Sequence, residues 1–204
     1  MKFILSILAV LAIVFLVGCS AKDTNNNKLS NSEITKLGKK YGGVYVFNKK
    51  FEKEIDDRER ERKEAIKELK GRDLGGGLYA VDTKPVDEKF PQTLSNGKKY
   101  YTSTRAYGED YNKQAKLPEI YKEKIINFIG QEDYNKFKPS ILLSYFYVDD
   151  NKNIIPIVVS VYYTIGYTKF GFFGDEGRGF SLSRKDVKDV GGDSIFYLED
   201  TERK

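Results

Sequence analysis

The 204-residue chain contains no histidine, no tryptophan, one cysteine (Cys19) and no methionine beyond the first residue. Zinc sites built on His and Cys, histidine general bases and His-activated nucleophiles are therefore excluded. Disulfides go with them, so packing alone must hold the fold. Catalysis, if any, would rest on carboxylates, Lys, Tyr, Ser or Thr, and no catalytic or metal-binding set stands out among them. Three short matches fail on inspection. Gly75, Gly76 and Gly77 are not followed by the GK[ST] of a phosphate loop, so no nucleotide or other cofactor is expected. Ser95 to Lys98 has the S-x-x-K spacing of penicillin-binding serine enzymes, but its Asn-Gly centre favours a tight turn over the helix start that chemistry needs. Asp149 to Asn153 opens like a calcium loop, yet Ile154 and Ser160 stand where the turn glycine and the bidentate Glu belong.

What is present begins at the amino terminus. Lys2 precedes an apolar run, Phe3 to Val17, broken only by Ser6 and followed by Gly18, Cys19, Ser20 and Ala21. That is the layout of a secretory signal peptide, and its core is shorter than the roughly 20 residues a membrane-spanning helix needs. Leu16, Val17, Gly18 and Cys19 resemble the lipobox of bacterial lipoproteins. The resemblance covers only this leader. It implies a diacylglyceryl group on Cys19, cleavage after Gly18 by signal peptidase II, and further acylation, by palmitate for example, of the new amino terminus. It also implies a location in the cell envelope, lipid-anchored outside the cytoplasm, and Ser20 is permissive for transport to an outer membrane where one exists. Two or three acyl chains would make release from the bilayer negligible, whereas one gives only marginal binding.

Residues 19–32 read as the lipidated cysteine and a polar, Asn-rich tether. With about 5–6 Å per root residue, its mean reach is on the order of 20 Å. Residues 33–204 read as one globular domain. Its charge is uneven: from Ser20 to Lys116 there are 22 Lys and Arg against 16 Asp and Glu, and from Leu117 to Lys204 there are 12 against 14. The basic first half is compatible with anionic lipid or polysaccharide, or with an ordinary Lys-rich surface. Nucleic acid is not an expected partner outside the cytoplasm.

The fold class expected is α+β, with N-terminal helices packed on a C-terminal antiparallel sheet. Helices are expected from Ser32 to Tyr41, from Lys50 to Lys70 with Phe51, Ile55, Ile66 and Leu69 as its apolar stripe, and from Leu117 to Gly130 with Ile120, Ile125, Phe128 and Ile129 inward. A further turn or two is expected over Gln131 to Lys138. Val44 to Asn48, Leu78 to Thr83, Ile141 to Val148 and Ile154 to Tyr167 read as strands, the last two joined as a hairpin through Asp149 to Asn153. Alternate residues from Ile155 through Ile157, Val159, Val161, Tyr163 and Ile165 to Tyr167 form the expected core face. After Phe180 to Leu182, a short helix capped by Ser183 and a last strand from Ser194 are expected.

The stretch Phe170 to Phe180, FGFFGDEGRGF, sets four phenylalanines among glycines. Phe170, Phe172, Phe173 and Arg178 are the partner-binding candidates, since aromatic and Arg side chains dominate binding hot spots; the rival account is a loop folded back over the core. These features point to a membrane-anchored, non-catalytic protein-binding module, an assembly factor or an immunity-type inhibitor. The alternatives are a carboxylate-dependent envelope hydrolase and a binder of anionic lipid or polysaccharide. The leader makes the first testable statement: mass spectrometry of the mature protein should find Cys19 as the first residue, carrying a diacylglyceryl mass. An unmodified Cys19, or a start elsewhere, refutes the assignment.

Overall fold

A computed structural model describes residues 22–23, 29–107, 114–175 and 179–198, with backbone alone at 22–23 and 175. The expected signal peptide, Cys19 and most of the expected tether lie outside these residues. The architecture is α+β, as expected. In chain order the elements are β1 (Lys22–Asp23), α1 (Asn31–Tyr41), β2 (Gly43–Val46), α2 (Lys49–Lys67), β3 (Arg72–Gly75), β4 (Leu78–Ala80), α3 (Lys84–Lys89), β5 (Tyr100–Tyr101), α4 (Glu119–Ile129), α5 (Gln131–Lys136), β6 (Ser140–Val148), β7 (Ile154–Asp175), β8 (Gly179–Val190) and β9 (Ser194–Tyr197).

Local chemistry sets the helix ends. Ser30, not Ser32, caps α1: its Oγ accepts from the Glu33 N–H at 3.3 Å, and the Glu33 carboxylate accepts the Ser30 N–H at 2.8 Å. The reciprocal box needs the acid three residues after the cap, which only Ser30 satisfies. Asn48 caps α2 through the Phe51 N–H at 2.9 Å. Pro118 and Gly130 bound α4, and Gly130, at φ 88°, also starts α5.

Seven strands form one mixed sheet in the order β5-β6-β7-β2-β9, with β1 and β8 pairing farther along β7. All pairs are antiparallel except β2 with β9. The all-antiparallel expectation fails there for a simple reason. β2 and β8 both run antiparallel to β7, so they share a direction, and the step through Gly191 and Gly192 moves the chain sideways without reversing it. Helices are not confined to the first part of the chain either, since β2 lies inside the sheet and α4 and α5 follow β5.

The sheet is covered on both faces. On one, Tyr45, Leu143, Val159, Val161 and Tyr163 pack with Ile34 and Tyr41 of α1, Ile125 and Ile129 of α4 and Tyr134 of α5. On the other, Val46, Ile157, Val158 and Tyr100 meet Leu94 and Ile55 of α2. The expected one-sided alternation along β7 therefore holds from Val159 to Ile165, which packs partly buried against the same cluster. The β6–β7 register shifts on either side of Tyr145, leaving Ser144 and Ile157 without partners, and such bulges exchange the faces.

Two amphipathic stripes also differ from expectation. On α2 Ile55 is buried and Phe51 packs partly buried against the same cluster, as expected, but Arg62 is the other buried residue of the helix and Ile66 is exposed. On α4 Ile120 is exposed, and Phe128, though partly exposed, lies edge-on to Tyr45 with ring centroids 5.5 Å apart. The expected hairpin at Asp149 to Asn153 is present, closed by the Asp149 N–H to the Asn153 carbonyl at 3.0 Å. The expected helix after Ser183 is absent, because that segment is paired residue for residue with β7 from Tyr163↔Val190 to Phe170↔Ser183.

Gly43 begins β2 at φ 150°, and a Cβ there would lie 2.2 Å from the Ser194 carbonyl oxygen, whereas one on Gly191 would approach nothing closer than 3.9 Å. Gly43→Ala should cost about 2–3 kcal/mol and lower Tm in a thermal melt, while Gly191→Ala stays within about 0.5 kcal/mol of the parent. Equal effects would contradict the β2–β9 contact.

Candidate interaction surface

Beyond Ile165 the strand β7 leaves the core and continues with β8 as a two-stranded ribbon. Thr168 pairs with Lys22 on one side and Lys185 on the other, and Tyr167 pairs likewise with Asp23 and Asp186, so β1 adds a third strand to the shaft. Past Phe170↔Ser183 the register breaks. Gly171 and Phe172 together oppose Leu182 before pairing resumes at Phe173↔Ser181 and Gly174↔Phe180.

This bulge decides where the phenylalanines go. Phe173 turns its ring to the Arg184 guanidinium, 4.8 Å from the ring centroid, a cation–π contact that leaves it half-buried. Phe180 lies across Gly174, where an added Cβ would come within 2.6 Å of the ring. Phe172 is 86% exposed, Phe180 91%, Leu182 69% and Phe170 50%. Phe170, Phe172 and Phe173 thus sit together on the distal ribbon, while Arg178 lies outside the described residues. The loop is not folded back over the core. Leu182 has a sequence signal only once the strand is known, because alternation places it on the same face as Phe180.

A second exposed apolar hairpin, β3–β4, carries Leu74, Leu78 and Tyr79. Gly75, Gly76 and Gly77, at φ 86°, 62° and 81°, make its turn. The strand β3 ahead of them has no apolar pattern that would disclose it in the sequence.

Two concave regions complete the surface. A groove of about 380 Å³ between α1 and α5 is lined by Leu29, Leu37, Glu33, Lys36, Lys40, Asp133 and Lys136. Asp133 accepts the Tyr41 hydroxyl at 2.7 Å and pairs with Lys136 at 3.0 Å and Lys40 at 3.6 Å. The Tyr41 hydrogen bond, then those lysines, hold its carboxyl below the usual range.

The other region, about 400 Å³, is lined by Arg62, Asp87, Pro91, Gln92, Thr93 and Lys99. Arg62 is only 9% exposed. Its guanidinium donates to Asp87 and the Phe90 carbonyl and lies 3.7 Å from Glu59, which accepts the Tyr100 hydroxyl at 2.7 Å and Gln92 at 2.8 Å. Two carboxylates meet here, but Arg62 holds Asp87 ionised, its pKa lowered. Glycoside cleavage needs one carboxyl kept protonated. Asp56 has its carboxyl pushed upward, mainly by burial, and it lines neither region. The cluster acts as a clamp between α2, α3 and β5. Among the described residues no three of His, Cys, Asp or Glu gather as a metal site, and no helix is long and apolar enough to cross a membrane.

No protein-family model matches the chain, and neither does any curated protein or solved structure. The geometry alone carries the functional reading.

The Asp133 cluster gives a pH signature. A carboxyl whose folded pKa is depressed adds stability above its unfolded pKa, about 3.9, and loses it as pH falls through the folded value. Tyr41→Phe removes the principal cause, so it should lower Tm clearly at pH 7 and progressively less as acidification protonates Asp133 in both states. A gap constant from neutral to acid pH would show that Tyr41 does not stabilise the ionised form.

Proposed function

We propose that the protein is an envelope lipoprotein, anchored to a membrane through lipid on Cys19, that acts as a non-catalytic protein-binding module. The distal β7–β8 ribbon is its contact element. One observation carries the reading: Phe172 and Phe180 are held almost fully in solvent on a structured strand pair instead of in a mobile loop. Full burial of such a side chain is worth about 1.5–3 kcal/mol, and displaying two aromatics on a pre-formed element reduces the ordering cost of binding. Arg184 supports the reading by fixing Phe173, so the tip presents a defined shape.

The lipid anchor would confine the module to encounters at a membrane surface, which suits an assembly factor or an immunity-type inhibitor. The hydrolase alternative has less behind it, because the paired carboxylates at Arg62 are both engaged by one guanidinium.

Photo-crosslinking residues placed at Phe172 or Phe180 in the native envelope should give one discrete adduct with a different protein. The same probe at Glu64, an exposed position on α2, should not. With the partner identified, Phe172→Ala with Phe180→Ala should weaken binding at least tenfold, about 1.4 kcal/mol. Unchanged affinity, or the same adducts from Glu64, would remove the ribbon from the interface.

A further inference from the structure

β8 uses one edge for β7 and, among the described residues, pairs with no strand on the other. Two side-chain bonds show which backbone groups face outward. The Ser183 N–H donates to Ser181 Oγ at 3.3 Å and the Val187 N–H to Asp186 Oδ1 at 3.1 Å, so neither points into the β7 ladder. Inward and outward groups alternate along an antiparallel strand. Ser183, Lys185, Val187 and Asp189 therefore all present N–H and C=O to the free edge.

Such an edge is a template for another strand, and lysines are a common guard against it. Here the guard is matched. Lys185, Asp186, Val187, Lys188 and Asp189 read positive, negative, apolar, positive, negative. We infer that this edge pairs antiparallel with the same edge of a second copy of the chain, about a two-fold axis passing between the two Val187 residues.

In that register Lys185 faces Asp189 and Asp186 faces Lys188, and the symmetry repeats both pairs, so all four charges of each strand meet their opposites. Val187, 68% exposed, meets itself. The backbone agrees: Val187 with Val187 and Lys185 with Asp189 are outward-facing positions on both strands, as hydrogen-bonded pairs require. The next registers of the same parity put Asp186 against Asp186 or Lys188 against Lys188. One existing contact must exchange: the Val187 N–H leaves Asp186 Oδ1, 3.1 Å away, for the partner's Val187 carbonyl, which frees that oxygen for the partner's Lys188. Asp186 otherwise holds one Arg184 nitrogen at 3.2 Å and Asp189 accepts the Thr164 hydroxyl at 2.8 Å, leaving acceptor capacity on both carboxylates.

The pairing also has a natural end. β9 lies outside β2, which is in line with β8, so a partner strand must turn away once it passes Val190. In this register Arg184 of the partner faces Val190, and its next residues lie opposite the bulge at Gly171 and Phe172. Bulges bend a strand pair, here at the point where bending is needed.

The test uses the full chain, purified in detergent. Cα atoms of a hydrogen-bonded antiparallel pair are about 5.5 Å apart, within disulfide range. In the lipidated protein the Cys19 sulfur is a thioether, so Val187→Cys carries the one free thiol and should oxidise to a covalent dimer. Lys185→Cys, about 14 Å from its symmetry mate, should not. In sedimentation the parent chain should be dimeric, Lys188→Asp should shift the equilibrium at least tenfold toward monomer, and Asp186→Lys with Lys188→Asp should restore the dimer. A parent that stays monomeric at every attainable concentration overturns the inference. So does equal crosslinking at 185 and 187, or a charge swap that fails to rescue.

Discussion

Four consecutive residues of β7, Pro156 to Val159, are buried, and the rest of the domain follows from covering them. A strand buried on both faces has no water for its backbone, so both edges must be paired. β6 takes one edge and β2 the other. Each face then needs a layer of its own: α1, α4 and α5 supply one, and α2 with the Leu94 and Tyr100 region supplies the other. The Arg62 cluster belongs to this second layer. It contributes specificity of position more than net stability, since a buried ion pair replaced by well-packed apolar groups is often no less stable.

The same strand then changes environment without changing conformation. Up to Tyr163 it is central to a core; beyond Ile165 it is the spine of a ribbon with neither face enclosed by helices. A ribbon of this kind depends on its ladder and on cross-strand side-chain pairs, such as the Thr164 hydroxyl on Asp189. It is therefore the part of the molecule in which sequence is least constrained by packing and most available for recognition. Glycines at 171 and 174 serve that purpose, leaving space for the rings of Phe173 and Phe180.

Elements bounded by local chemistry were legible before any coordinates. The Pro118 to Gly130 helix, the Asp149 to Asn153 hairpin and the strands beside it all signal themselves within a few residues. Errors arose where a distant segment overrides a local pattern. Ser183 and Asp186 look like a helix cap and its acid, yet pairing with β7 over eight successive positions is worth more than one cap. Arg62 reads as a solvent residue on α2 because only Asp87 and Glu59 make its burial tolerable. The parallel pairing of β9 has no local signature at all. At the candidate site, the clustering of Phe170, Phe172 and Phe173 was visible in composition. That they stand clear of the core, and that Phe180 and Leu182 join them, depends on a register only the folded chain defines.

The short pairing of Lys22 and Asp23 with Tyr167 and Thr168 alters how a lipid on Cys19 would hold the protein. Lys22 is three residue steps from Cys19, and an extended chain covers at most about 11 Å in that distance. The shaft of the ribbon would then lie against the headgroups. Such attachment at a point along the ribbon would give the domain a preferred tilt on the membrane. It would confine the aromatic tip to a shallow layer over the bilayer surface, where a partner would need to search only two dimensions to find it.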